Sequence, residues 1–227
     1  MKKILTTIAA SLFAFGAYAN DIYVTQSGDS LDLDITQDGQ NNTVGNSTTA
    51  SASTGATTIL NIDQVGNSNV LKYQVNGATF TGTVNVTGDS NDIDLNCDST
   101  NGNSSCGTVT ASITMVGSSN DVDLDIGETS DASNSTVTIT SAASDDSNVI
   151  AATVDGTSAI LTITVDGDTN NWLVDIDGNG DINGHTLIHS HTGGIADVDI
   201  VQSGVYDNYI SLTTSGDNAD IDISQTD

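Results

Sequence analysis

From Ile22 onward the chain alternates apolar and polar residues with few breaks. Leu33 and Ile35, Leu60 and Ile62, Ile93 and Leu95, Val122 and Leu124, Leu161 and Ile163, and Ile221 and Ile223 each flank one Asp, Asn or Thr. A period of two built from β-branched residues and leucine predicts strands with one face turned inward. Glycines punctuate the alternation: Gly55, Gly66, Gly77 and Gly88 follow at intervals of eleven residues, and so do Gly156, Gly167 and Gly178. Each interval predicts one strand and one corner, with glycine supplying the positive φ of a tight turn.

Three residues after the corner, asparagine occupies every second interval. The series is Asn20, Asn42, Asn69, Asn91, Asn120, Asn148, Asn170 and Asn208, the last requiring one extra residue after Gly204. Leu31, Thr58, Phe80, Val109, Val137, Ala159, Ala196 and Ala219 hold the intervening places. The period is therefore about 22 residues, and the predicted fold is all-β. It is a β-solenoid of about eight strand–turn–strand coils with two parallel sheets. Stacked coils place equivalent residues about 4.8 Å apart. The asparagines are then expected to form one inward ladder, each amide donating to one neighbour and accepting from the other. Residues in excess of the ruler fall near 50–55, 99–106, 128–134 and 178–193, each after an asparagine-bearing strand. They are expected to project as loops from one edge of a single domain spanning 20–227.

Residues 1–19 combine Lys2 and Lys3, an apolar run and the small-x-small ending Ala17-Tyr18-Ala19, the features of a secretory signal peptide. The run is too short to favour a membrane span. The expectation is a chain exported through the periplasm to the cell surface or beyond, without membrane insertion. Beyond this segment Lys72 is the single basic side chain, while the chain holds 30 acids. That balance argues against nucleic acid, whose phosphates are held by Lys and Arg, and favours divalent cations as partners. Asp92 and Asp94 are expected to stack on Asp121 and Asp123, and Asp197 and Asp199 on Asp220 and Asp222. Like charges placed opposite one another repel, so salt or divalent cations are expected to favour any assembly.

Gln37-Gly39-Asn42 and Gln64-Gly66-Asn69 spell Q-x-G-x-x-N, and Gln26-Gly28, Gln202-Gly204 and Gln225 repeat its glutamine. In these residues the chain resembles the curlins, secreted subunits of bacterial curli fibres with stacked strand–turn–strand repeats. The resemblance is good in the first three coils and the last two. It is weak between Gly77 and Gly178, where Val86, Cys97, Met115, Ile126, Ala143, Val154, Val165 and Ile176 hold glutamine places. It implies a subunit of an extracellular, self-polymerising, amyloid-like fibre for biofilm matrix and surface adhesion. The implied partners are further copies of the chain, a nucleator and outer-membrane secretion machinery. The pattern shows no capping proline, amphipathic helix or lysine at either end, and unsealed solenoid edges template further pairing. Head-to-tail stacking is expected to set Gln225 of one copy near Gln37 of the next on one corner track. Gln202–Gln225 would then join Gln37–Gln64, and Asp220 and Asp222 would approach Asp32 and Asp34.

Threonines give a rival reading. Thr79, Thr81, Thr83, Thr108, Thr110, Thr136, Thr138, Thr140, Thr162 and Thr164 fall on outward positions of adjacent coils. Such rows resemble those of ice-binding solenoids and suggest a monomer that binds ice or a crystalline surface, although threonine is also an ordinary exposed strand residue. Asp175, Asp177, Asn179 and Asp181 match ligand spacing in a calcium loop, with Thr186 where a bidentate Glu belongs. Asp175 and Asp177 equally fit outward strand places. His185, His189 and His191 are candidate zinc or copper ligands, or simply polar residues of an exposed loop. Cys97 and Cys106 flank one insertion and are expected to pair as a disulfide in an exported protein. No nucleophile–base constellation emerges, so neither enzymatic activity nor a required cofactor is expected.

Overall fold

The computed structural model describes residues 20–227 apart from 40, 46–49, 67, 89, 98–105, 128–133, 143–146, 157, 178–183, 205–207 and 227. The proposed signal peptide therefore lies outside the described residues, as do most of the expected loops. No helix occurs among the described residues, and every strand pairing among them is parallel.

The strands form two stacks of a β-solenoid, as the alternation predicts. The first stack begins with β1 (Asn20–Ile22) and β2 (Thr25–Ser27). The second begins with β3 (Ser30–Asp38). β4 (Asn42–Val44) returns the chain to the first stack. Two long strands, β5 (Ser51–Val65) and β6 (Ser68–Thr87), then pass through the corner from the first stack into the second. Thereafter strands alternate. The first stack receives β7 (Ser90–Cys97), β9 (Ser119–Ile126), β11 (Ser147–Asp155), β13 (Thr169–Asp177), β15 (Ile195–Ser203) and β17 (Asn218–Thr226). The second receives β8 (Thr108–Val116), β10 (Asn134–Ala142), β12 (Ala159–Asp166), β14 (Thr186–Thr192) and β16 (Tyr209–Ser215). Because the bent strands connect the stacks, the whole forms a continuous 17-stranded sheet.

One face of each strand in the inner layers is dry. Leu60, Ile62, Ile93, Leu95, Val122, Leu124, Leu161 and Ile163 are all buried, while the residues between them face outward. The narrow core follows directly from the period of two. Cys97 and Cys106 are joined by a disulfide with Cα atoms 5.8 Å apart, and both are buried in this core.

The corners explain the glycines by a different route from the one expected. Gly66, Gly88 and Gly117 do not need positive φ; stacking leaves them no room for a side chain. A Cβ on Gly66 would strike the carbonyl oxygen of Gly39, one on Gly88 that of Gly66, and one on Gly117 that of Gly88. Gly193 and Gly216 meet Gly167 and Gly193 in the same way. At the opposite corner Gly55 lies against Gly28 and Gly77 against Gly55.

Three parts of the expected register shift. Ser51–Gly55 is not a projecting insertion: it is strand, paired with Tyr73–Gly77. In β10 the corner-proximal inward residue is Ser135, because Ser135 pairs with both Val109 and Ala159, and Val137 sits one inward place further on. The most consequential shift lies within 178–193, where Thr186–Thr192 is not loop but β14, bonded between β12 and β16. The expected insertion there contains a complete strand of the second stack.

Gly88→Ala should lower stability by about 2–3 kcal/mol, the cost of overpacking a site whose neighbours are backbone. The midpoint of chemical denaturation would measure it.

Candidate functional site: amide ladders and open edges

The asparagine ladder occupies the first stack at the corner that receives the chain from the second. Asn20 pairs with Asn42, and Asn69, Asn91, Asn120, Asn148 and Asn170 follow in register. Asn42 precedes the Thr43–Val70 pair by one residue, which aligns it with Asn69. From Asn69 the side-chain amides bond directly. Asn69 Nδ2 donates to Asn91 Oδ1 at 2.9 Å, Asn91 to Asn120 at 2.6 Å, Asn120 to Asn148 at 2.7 Å and Asn148 to Asn170 at 2.6 Å. The same Nδ2 groups tie down corner carbonyls: Asn42 to Val65 O and Asn69 to Thr87 O, both at 2.8 Å. The side chains of Asn42, Asn69, Asn91, Asn120, Asn148 and Asn170 are buried. Asn69, Asn91 and Asn148 each spend one hydrogen on the next layer and one on a corner carbonyl, which ties backbone and ladder together.

The ladder ends at Asn170. Its Nδ2 donates to Gly167 O at 2.8 Å and lies 3.2 Å from His191 Nδ1, and the next two layers hold Ala196 and Ala219. Asn208 does not belong to it. Because β14 is a strand, Asn208 falls in the second stack, where its Oδ1 accepts from the His185 backbone N–H at 3.1 Å. The same geometry adds a member the sequence reading missed. Ser141 Oγ accepts from Asn120 Nδ2 and donates to Asn148 Oδ1, both at 2.8 Å. A serine in a place otherwise held by Val86, Met115 and Val165 was the available signal.

The glutamines form two tracks rather than one. Gln64 Nε2 donates to Gln37 Oε1 at 2.6 Å in the second stack, and Gln37 Nε2 reaches Thr43 O at 2.9 Å. Gln202 and Gln225 lie in the first stack, where Gln225 Nε2 donates to Gln202 Oε1 at 3.3 Å and to Asn208 O at 3.0 Å. Gln26 pairs with Ser53 and so shares the first-stack track. The expected meeting of Gln225 with Gln37 is therefore ruled out by the register: Gln225 lines up with Gln26. Likewise Asp220 and Asp222 lie in the first stack and Asp32 and Asp34 in the second, so they do not face one another across a junction.

Both end layers are uncovered among the described residues. β17 pairs on one side only, with β15, and β16 only with β14. Inward residues there stay wet: Ile223 is 48% exposed. Ile22, Leu31 and Leu33 at the other end, and Ile210 and Ile221 at this one, are only partly buried.

Acid columns run along the outer face of the first stack as expected. Asp92 aligns with Asp121, Asp94 with Asp123, Asp197 with Asp220 and Asp199 with Asp222. Lys72 Nζ lies 3.5 Å from Asp94 Oδ2. Burial, followed by the neighbouring Asp92, raises the Asp121 carboxyl, and burial followed by Asp94 raises that of Asp123.

The threonine rows are real but short. Thr81, Thr110 and Thr136 align and then meet Ile160; Thr138 aligns with Thr162 and then meets Ile188. Thr79 aligns with Thr108, Thr83 with Ser112, and Thr140 with Thr164 and with Thr114, which the sequence reading had not included. Exposed Ile59, Ile160 and Ile188 interrupt the face.

The histidines are not on an exposed loop. His185, His189 and His191 all point into the core of the second stack. The Trp172 ring lies 4.5 Å from His189 and 5.0 Å from His191, centroid to centroid. His185 Nδ1 accepts from the Ala159 N–H at 3.1 Å, which ties the ring to the neighbouring layer. Asp175 and Asp177 belong to strand β13, and Asn179 and Asp181 lie outside the described residues. Among the described residues no group of three His, Cys, Asp or Glu is placed to hold a metal ion.

No family model, curated protein or solved structure matches this chain.

Asn120→Ala should cost about 2–4 kcal/mol, because it breaks the ladder on both sides, takes the ladder acceptor from buried Asn91 and leaves Asn148 Oδ1 with Ser141 alone. Asn208→Ala should cost clearly less, and parallel urea titrations would separate the two. A second test uses pH. Burial, and secondarily His191, lowers His189 to about 4, and burial also lowers His191, opposed by Asp166. The unfolded imidazole takes its proton near its ordinary value of 6.5, whereas the folded His189 resists until about 4. Its contribution is therefore complete above about pH 6.5 and is lost as pH falls towards 4, on the order of 3 kcal/mol. Raised Asp121 and Asp123 act with the opposite sign, gaining stability on acidification. His189→Leu, which matches Ile163 and Leu212 in its column, should thus lose less stability between pH 7 and 5 than the unaltered chain.

Proposed function

We propose that the chain is the structural subunit of an extracellular, self-polymerising fibre in which solenoids stack end to end. The observation that carries this reading is the pair of open end layers. Each presents unpaired parallel strand edges and half-wet apolar residues of the same kind that pair and dry in every internal layer. The ends also match in chemistry. Ile221 and Gln225 hold the same inward places as Ile22 and Gln26, and Ile210 and Leu212 the same as Leu33 and Ile35. A second copy therefore meets at each end a surface like the one its own next coil provides. The curlin-like glutamine and asparagine spacing supports the same function, with roles in biofilm matrix and surface adhesion. Secretion through an outer-membrane apparatus and a separate nucleator belong to the same proposal. The acid columns add that cations screen the repulsion between joined copies.

Purified chain 20–227 should form unbranched filaments by negative-stain microscopy, and short filament fragments should remove the lag. Assembly should accelerate with added calcium or sodium chloride. A monodisperse monomer that persists at high concentration, with salt and with sonicated seeds, would overturn the proposal.

A further inference from the structure

We propose that, when copies join, β17 of one chain takes the place of the Asn20–Ser27 segment on the first stack of the next, so that both stacks continue without a gap. This rests on the fibre reading above and specifies its junction.

The argument begins with parity. The described strands start and finish in the first stack, with β1 and β2 at one end and β17 at the other. That stack therefore holds one layer more than the second, which runs from β3 to β16. If an intact β17 stacked on an intact β1–β2 layer, the second stacks of the two copies would lie one layer apart and could not bond. If β16 paired directly with β3, then β17 and the Asn20–Ser27 segment would claim the same layer. Only one of them can stay.

The two competitors are unequal. β17 is an unbroken strand of nine residues, whereas β1 and β2 are three residues each, separated by Tyr23 and Val24, which are not strand. Tyr23 is 55% exposed. Exchange sacrifices the short pairings of Asn20–Ile22 with Asn42–Val44 and of Thr25–Ser27 with Ala52–Thr54. It gains β17 on that same edge and the seven residues of β16 on β3.

The register is compatible on both faces. In the vacated layer Ile221 sits over Val44 and Gln225 over Ser53, the places of Ile22 and Gln26. In the second stack Ile210 meets Leu33 and Leu212 meets Ile35, apolar on apolar. Charge points the same way. Intact stacking sets Asp220 against Asp21, whereas exchange sets Asp220 beside Thr43, and on the other face Tyr209 and Ser211 beside Asp32 and Asp34. Like charges directly opposite one another disfavour the first arrangement.

Cysteine pairs distinguish the arrangements, because neighbouring parallel strands lie about 4.8 Å apart, within the Cα separation a disulfide accepts. Asp220→Cys with Thr43→Cys in one chain should give ladders of intermolecular disulfides in oxidised filaments. Asp220→Cys with Asp21→Cys should give few. A chain lacking 20–27 should elongate wild-type seeds at least as fast as the full chain. Cross-linking through Asp21→Cys, or filaments cross-linked by neither pair, would overturn the exchange while leaving the fibre reading intact. Loss of elongation by the shortened chain, with its monomer still folded by circular dichroism, would overturn it too. Absence of filaments from the unaltered chain would instead remove the fibre reading itself, and the exchange with it.

Discussion

Parallel stacking in register is the constraint from which the other features descend. Once each coil lies directly over the last, about 4.8 Å away, the nearest neighbour of any side chain is its counterpart one period along the sequence. A residue is then selected for how well it tolerates its own kind. Asparagine does so because its amide is both donor and acceptor, and the Asn69-to-Asn170 series bonds layer to layer without a foreign partner. Glycine does so because a corner that passes over the preceding carbonyl has no space for a Cβ, as at Gly66, Gly88 and Gly117. Aspartate does so poorly: burial first, and then the Asp92 and Asp94 carboxylates one layer away, raise the Asp121 and Asp123 carboxyls.

The same constraint decides what was legible in the sequence. Alternation at a period of two named the inward residues, and the asparagine series placed the coils in register as far as Asn170, because both signals repeat at fixed spacing. The reading failed where a strand lacked both. In β14 the corner-proximal place holds His185, and the next inward residues are Leu187, His189 and His191. A neutral imidazole against Trp172 is an acceptable core side chain, but in a sequence three histidines beside Asn and Gly signal a polar loop. Omitting that strand moved Ala196 and every later residue into the wrong stack relative to the N-terminal half. That error in turn set Gln225 against Gln37. The extra residue needed after Gly204 was the visible symptom. Ser135 was missed for a related reason: Val137 suited the apolar slot equally well, and only the Ser135 pairings with Val109 and Ala159 separate them.

The uneven distribution of amides along the solenoid has a physical reading as well. In the first-stack track that holds Gln26, Gln202 and Gln225, the middle layers hold Ile126, Val154 and Ile176. In the second-stack track that holds Gln37 and Gln64, the following layers hold Val86, Met115, Ser141, Val165 and His191, of which three are apolar. An aliphatic side chain enclosed on both sides gains from burial and asks nothing of its neighbours. A buried glutamine must find partners in both layers or forfeit its hydration. At an end layer the balance reverses. An aliphatic residue there stays wet, as Ile223 does, whereas the exposed Gln225 amide keeps its hydration and, at the proposed junction, would meet Ser53. In the proposed fibre, inward glutamines confined to the terminal coils give the open edges hydration without blocking them. A lysine or proline there would also suppress sticking, but by preventing the pairing altogether.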